Sequence, residues 1–372
     1  MNRIRSIVAA AVVPLALVDP TSLSGQEIRG ISFDWATHRR VENGADNWPL
    51  TWAADGHQYT HGGDGFGWNG SLSPKSGNFV VRVKGGRGSY TGENRYVSGR
   101  MNCGEMCGKS YGILALGGDL YMWLAPNSQS ENFERQTLYR STDDGLTWER
   151  VGVRFPGEEY NLAPPTFLNF GRNYARARDG YVYVYAADVK DDSGLNIQKP
   201  GEIWLMRVPK GRIEDRAAYE WFTGTPNQPS WGAFRDRRPV FEDRSGVSWN
   251  TGSVIWVPEL DRYVLATEHT ASQRGNIHLA QAPEPWGPWT TFLRVHEWPT
   301  RDHVERDTFY WNFSPKWFSA DGREFVMVFS GAHSNDSWNS VEGSFLTASP
   351  DDSTPHESPA GRRTGEVEDG GG

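Results

Sequence analysis

The stretch Leu50 to Asp64, LTWAADGHQYTHGGD, reads as two short strands around an Asp-Gly turn and ends in a glycine-rich corner with an acid. Asp-Gly between alternating apolar residues is a strong hairpin signal, because both central positions of such a turn favour left-handed backbone. The same pattern returns as YGILALGGDLYMWLAP, NYARARDGYVYVYAAD, SVIWVPELDRYVLATEH and PKWFSADGREFVMVFSG. The turns fall at Gly56, Gly118, Gly180, Asp261 and Gly322, in steps of 62, 62, 81 and 61 residues. Near-equal repeats of this length, with further strand signals after each hairpin and almost no helical periodicity, predict an all-β fold, a five-bladed β-propeller. The outer strands are expected at Thr137–Ser141 and Trp148–Val153, Glu202–Val208 and Tyr219–Thr223, and Ile277–Ala282 and Trp289–Leu293. The fifth repeat has Ser344–Ala348 and then runs out of strand, so Ile28–Phe33 is expected to complete it.

The 372 residues carry a formal charge of -8, and the segment 349–372 supplies six acids against Arg362 and Arg363. A mildly acidic body has no broad cationic field for phosphates, which argues against a nucleic-acid partner. Residues 1–25 read as a secretory signal: Arg3 and Arg5 precede an apolar run from Ile7 to Val18 that is too short to span a bilayer. The expected domain is 26–348, followed by an acidic tail with too few apolar residues to fold. The expected product is an exported monomer, secreted or periplasmic, with no stable membrane insertion, no cofactor and no metal.

Residues just before the first strand and just after the second strand of each hairpin converge on one face, because the two strands are antiparallel. Those places hold Asp46, Trp48, His61, Asp64, Lys109, Asn169, Asp188, Asn250, Glu268, His269, Tyr310, Trp311, Asn312, His333 and Asp336. Acids, amides and indoles on one rim suit a carbohydrate, and Trp, at 17 residues, is as frequent as Phe. Asp46 and Asp64 bracket the first hairpin, and Glu268 faces them from another repeat. Paired carboxylates are what glycoside hydrolysis uses, and two of them held close cannot both ionise freely. These three are the expected catalytic residues; Trp48, His61, Lys109, Asn169, Asn250, His269, Tyr310, Trp311, Asn312 and Asp336 are expected to bind substrate, a polysaccharide or oligosaccharide. Two other readings fit the same rim: a polysaccharide lyase with His57, His61, His269 or Tyr310 as base, and a propeller that binds sugar without turnover.

NIHLAQAPEPWGPW (276–289) and ADNWPLTWAADGHQYTHGGD (45–64) resemble segments of the five-bladed furanosidase-type glycosidases. More narrowly, Ile31 to Ser349 resembles the secreted domain-of-unknown-function family 4185, some members of which are endo-D-arabinanases. The resemblance implies an arabinan-like furanoside as substrate and gives Asp46 the place of a catalytic base or nucleophile. The superfamily's acid glutamate is replaced by Trp249-Asn250, and Asn161 to Asn169 lacks its second aspartate, so Asp64 or Glu268 is the expected substitute. STDDGLTW (141–148) is similar to the Asp-box of sialidases, there a folding turn.

Cys103 and Cys107 are the two cysteines. In an oxidising compartment a local disulfide is expected ahead of free thiols, and a metal site comes last because zinc takes four ligands. Alkylation of the exported protein without reductant should leave both unlabelled, as read by mass spectrometry; labelling at both would show free thiols.

Overall fold

The computed structural model describes residues 25–41, 44–98, 106, 108–125, 135–190, 196–296, 298, 304, 307–332 and 336–347. The signal reading, the tail, both cysteines and His333 lie outside the described residues. Strand β1 covers Ile28–Val41, and the first hairpin forms β2 (Leu50–Trp52) and β3 (Gln58–Gly65), continued by β4 (Ser76–Gly86) and β5 (Ser89–Val97). The second meander is β6 (Lys109–Leu116), β7 (Asp119–Ala125), β8 (Gln136–Ser141) and β9 (Glu149–Phe155). A third is β10 (Thr166–Asn169), β11 (Tyr181–Ala187) and β12 (Gly201–Pro209), with its outer edge shared by β13 (Glu220–Phe222), β14 (Trp231–Gly232) and β15 (Pro239–Asp243). Next come β16 (Ser253–Val257), β17 (Arg262–Thr267), β18 (Ile277–Ala282) and β19 (Thr290–Val295). The last meander is β20 (Phe309–Phe313), β21 (Glu324–Ser330) and β22 (Trp338–Thr347), with β1 on its outer edge. The architecture is all-β.

The recurring Asp-Gly turns have one local cause. Asp55 accepts the His57 N–H at 2.8 Å, Asp179 accepts that of Tyr181 at 2.9 Å, and Asp321 accepts that of Arg323 at 3.1 Å. A short acidic side chain thus closes the turn on the backbone two residues ahead. Asp143 does similar work in the S-x-D-x-G-x-T-W turn, accepting from the Ser141 hydroxyl and from the Leu146 and Thr147 amides.

Two hairpins differ from the sequence expectation. The first strand of the third repeat lies earlier, at β10, because Arg172–Tyr174 form a 3-10 turn rather than strand. Likewise β20 precedes the Pro315–Ala320 segment, so Tyr310, Trp311 and Asn312 are strand residues instead of leading into one. Arg172, Arg176 and Arg178 sit in the third-repeat connector, where Arg176 pairs with Glu259 at 2.7 Å.

The sheets pack neighbour on neighbour. Tyr59 and Val80 meet Ile113 and Met122 of the second meander. Trp123 and Leu138 meet the third and, through it, Val254 and Tyr263. Ile255 and Leu279 meet Trp311 and Phe329 of the last, and Trp338 and Val328 return to Trp48 and Phe79 of the first. The ends of the chain meet as expected from the missing fifth-repeat strand: β1 pairs antiparallel with β22, Ile28 opposite Thr347 and Phe33 opposite Gly343. β1 is longer than expected, fourteen residues, and runs on to pair Val41 with Trp338.

Gln281 of β18 fixes the start of β1. Its amide donates to the Ile28 carbonyl at 2.6 Å and its oxygen accepts the Ile28 N–H at 2.9 Å, both buried. Gln281→Leu leaves those backbone groups without their partner and should cost about 1–3 kcal/mol, read as a lower urea midpoint with unchanged slope.

Candidate active site

Asp46 lies outside the regular strands but forms an antiparallel bridge with Gly63: its N–H donates to the Gly63 carbonyl at 3.2 Å and its carbonyl accepts from Gly63 at 3.1 Å. In an unbroken strand, Asp64 would then point to the opposite face from Asp46. Left-handed backbone at Asp64, φ 55°, instead turns its carboxylate toward the same cation. Such a conformation is costly for a residue with a side chain, and aspartate tolerates it better than most. Gly63 makes room: a Cβ there would stand 3.1 Å from the Lys109 stem and 3.2 Å from the His61 ring.

The cation is Lys109, at the start of β6. Its ammonium donates to both Asp46 oxygens, at 3.2 and 3.1 Å, and lies 3.9 Å from Asp64. Lys75 extends the set, 3.2 Å from Asp64 and 3.1 Å from Asp336. Three acids and two lysines therefore alternate in one chain of charge. Asp46 is only 7% exposed, whereas the Asp64 side chain is 20% exposed and meets solvent. Burial raises the Asp46 carboxyl to about 6; Lys109 opposes this, and Asp336 and Asp64 add to it. His61 is fully buried beside this group, and neither ring nitrogen has a hydrogen-bond partner among the described residues. Burial, with Lys109 adding to it, lowers its imidazole to about 3, so it stays neutral.

A second group forms past the end of β17. Glu268 accepts the Ser248 hydroxyl at 3.0 Å and the Tyr310 N–H at 3.3 Å on one oxygen, and its other oxygen is buried without a hydrogen-bond partner among the described residues. Burial raises this carboxyl to about 7, against the bonds from Tyr310, Ser248 and the Gln273 backbone. The Ser248 hydroxyl also reaches Asn250 at 2.6 Å, and the Asn312 amide donates to the Tyr310 carbonyl at 2.9 Å. Tyr111 links the two groups. It lies two residues beyond Lys109 on β6, its ring meets Trp249 at 4.8 Å and Tyr310 at 5.1 Å, and its buried hydroxyl has no partner among the described residues. Asp46, Asp64 and Glu268 all act on that hydroxyl, which burial in the first place holds far above the usual phenol range and so protonated.

The structure thus brings Asp46, Asp64, His61, Lys109 and Asp336 together, and Glu268, Asn250, Tyr310 and Asn312 together. Five expected rim residues are elsewhere; Asp188, just past the end of β11, lies 3.8 Å from Lys190. Trp48 is enclosed between the first and last sheets, against Phe79 and Trp338. Trp311 is enclosed against Phe329 at 4.3 Å in the sheet interface, at an irregular stretch of β20 where Tyr310 has left-handed backbone, φ 57°. Asn169 ends β10 opposite Ile255, well along the strand from the site. His269 is spent on Thr270 at 2.7 Å and the Val295 carbonyl at 2.9 Å. Tyr111, Lys75 and Ser248 were not evident from the sequence. Tyr111 had one signal, its place two residues from Lys109 on the same strand.

The family model for the domain of unknown function DUF4185 matches residues 111–310. The chain belongs to the DUF4185 family. No curated protein matches the sequence. Among solved structures, this DUF4185 protein is similar to the GH43_1 enzyme from Xanthomonas citri, with a TM-score of 0.48 at 12% identity over 84% of this chain and 90% of that one. CoXyl43, a GH43 β-xylosidase/α-arabinofuranosidase from a compost microbial metagenome, gives 0.47 at 12% identity over 88% and 96%. Trypanosoma rangeli sialidase gives 0.38 at 10% identity over 80% and 44%.

A carboxyl raised by burial takes up its proton more readily folded than unfolded, so it weakens the fold once pH passes the unfolded value. For Glu268 the penalty grows from about pH 4.5 and is complete above about 7. Glu268→Gln should therefore match the parent near pH 4 and exceed it near pH 8 by roughly 2–3 kcal/mol, measured by urea unfolding at both.

Proposed function

We propose that this DUF4185 protein is a secreted glycoside hydrolase, a monomer acting on a polysaccharide of the arabinan-like furanoside class. The meanders are read as the blades of a five-bladed β-propeller: each packs on the next, the last on the first, and β1 supplies the final outer strand. The catalytic groups are Asp46 and Asp64, with Lys109 between them.

One observation carries the reading. Two carboxylates from the two ends of one hairpin meet on a single buried ammonium, one enclosed and one reaching solvent. The enclosed member keeps its proton up to about pH 6, and the solvent-facing member is open to a sugar carbon or its attacking water. Glu268, raised to about 7, is the reserve proton donor from the other side. The lyase reading loses support from its own candidates. Tyr310 gives its hydroxyl to the Tyr111 carbonyl at 2.5 Å, His269 is bonded at both nitrogens, and His57 lies by the hairpin turn at the other end of β2.

The experiment is a screen for new reducing ends on a polysaccharide panel that includes arabinan, with ultraviolet absorbance recorded for unsaturated product. Turnover is expected on the furanoside and should fall as pH rises through about 6. Asp46→Asn and Asp64→Asn should each lose about 10³-fold in kcat or more, with the melting temperature within a few degrees. Full activity in Asp64→Asn removes the pair and gives Glu268 its place. Binding without any turnover makes the protein a sugar-binding module.

A further inference from the structure

The first strands of the meanders finish at the end opposite to Asp46 and Asp64. There, Trp52 closes β2, Trp256 and Val257 close β16, and the Pro315–Ala320 segment follows β20. These residues line a cavity of about 260 Å³, the size of a single sugar ring rather than a chain. Its wall is aromatic, with Trp52, Trp256 and Phe318, and two donors of its side chains have no partner among the described residues.

The first donor is the Trp52 indole N–H, which is enclosed and has no acceptor. The second is the Lys316 ammonium. Burial is the main influence on it and lowers it below the ordinary lysine range; Asp55 and Arg172 act on it in opposite senses, and no described carboxylate forms an ion pair with it. The remaining cation of the wall is already used, since Arg176 pairs with Glu259 at 2.7 Å. An ammonium and an indole donor on one cavity wall, neither with a described partner, cost the fold free energy that a ligand carboxylate would recover.

We infer that this cavity binds one uronate ring, its carboxylate held by Lys316 Nζ and the Trp52 N–H and its ring against the Trp256 and Phe318 side chains. Aromatic walls accept the apolar face of a sugar, and the Arg176–Glu259 pair offers hydrogen bonds to hydroxyls. A neutral sugar leaves the ammonium uncompensated. A phosphate brings a second negative charge toward Glu259 with no free cation to meet it. The inference does not depend on the hydrolase reading, because it uses no residue of the Asp46–Asp64 group.

The test is calorimetric titration of the full chain with D-glucuronate, with glucose and glucose 6-phosphate as comparison ligands. Saturable binding of glucuronate is expected, weakened about tenfold or more in Lys316→Met and in Trp52→Phe, and unchanged in Asp46→Asn. Trp52→Phe keeps an aromatic ring on the wall and removes the N–H, so it decides the matter should Lys316→Met fold poorly. Absence of saturable binding, equal affinity for glucose, tighter binding of glucose 6-phosphate, parental affinity in Trp52→Phe, or loss of binding in Asp46→Asn would each overturn the site.

Discussion

A lysine ammonium taken out of water costs several kcal/mol unless opposite charge stands beside it. Lys109 is buried, and its compensation is the two carboxylates that the first hairpin delivers. Everything around it serves that meeting. The Asp46–Gly63 bridge sets the height of one carboxylate, the left-handed turn at Asp64 sets the direction of the other, and glycine at 63 leaves space for the lysine stem. The excess negative charge is in turn met by Lys75, which ties in Asp336 from the last meander. Each carboxylate of the group thus stands within 4 Å of an ammonium.

The aromatic content has a different explanation from the one composition suggested. An abundance of Trp reads naturally as a set of sugar platforms. In the structure Trp48, Trp123, Trp221, Trp311 and Trp338 are among the largest fully buried side chains. They fill the gaps between adjacent twisted sheets, where a large flat side chain occupies space that aliphatic residues would leave open. Trp249 lies beside Tyr111 at one end, and Trp52 and Trp256 line the cavity at the other.

The two ends of the strands therefore carry opposite chemistry. One gathers carboxylates whose protons are held by burial, with a phenol between the two groups. The other gathers indoles and a cation without a partner. Antiparallel pairing produces the separation, since residues before a first strand and after a second must share an end.

The turns were legible in the sequence because their cause is local: an aspartate that accepts the amide two residues ahead marks the hairpin wherever it occurs. The closing pair β1 and β22 was legible by count, since the last repeat lacked an outer strand. Asp46 and Asp64 were legible as neighbours because they flank one hairpin. The first strands of the third and last repeats were misplaced, because a 3-10 turn at Arg172–Tyr174 and the Pro315–Ala320 segment interpose residues that look like strand. Which side of a strand faces the site was decided only in three dimensions. A single residue of phase buries Trp311 and leaves Tyr310 beside Glu268, and no local signal sets that phase. The partnership of Lys109 with two acids 63 and 45 residues away, and the open hydroxyl of Tyr111 between them and Glu268, arise from the packing of separate sheets. Sequence determines the turns and the inventory of charge; tertiary packing decides which charges meet, because a charge interaction depends on separation in space and on burial rather than on distance along the chain.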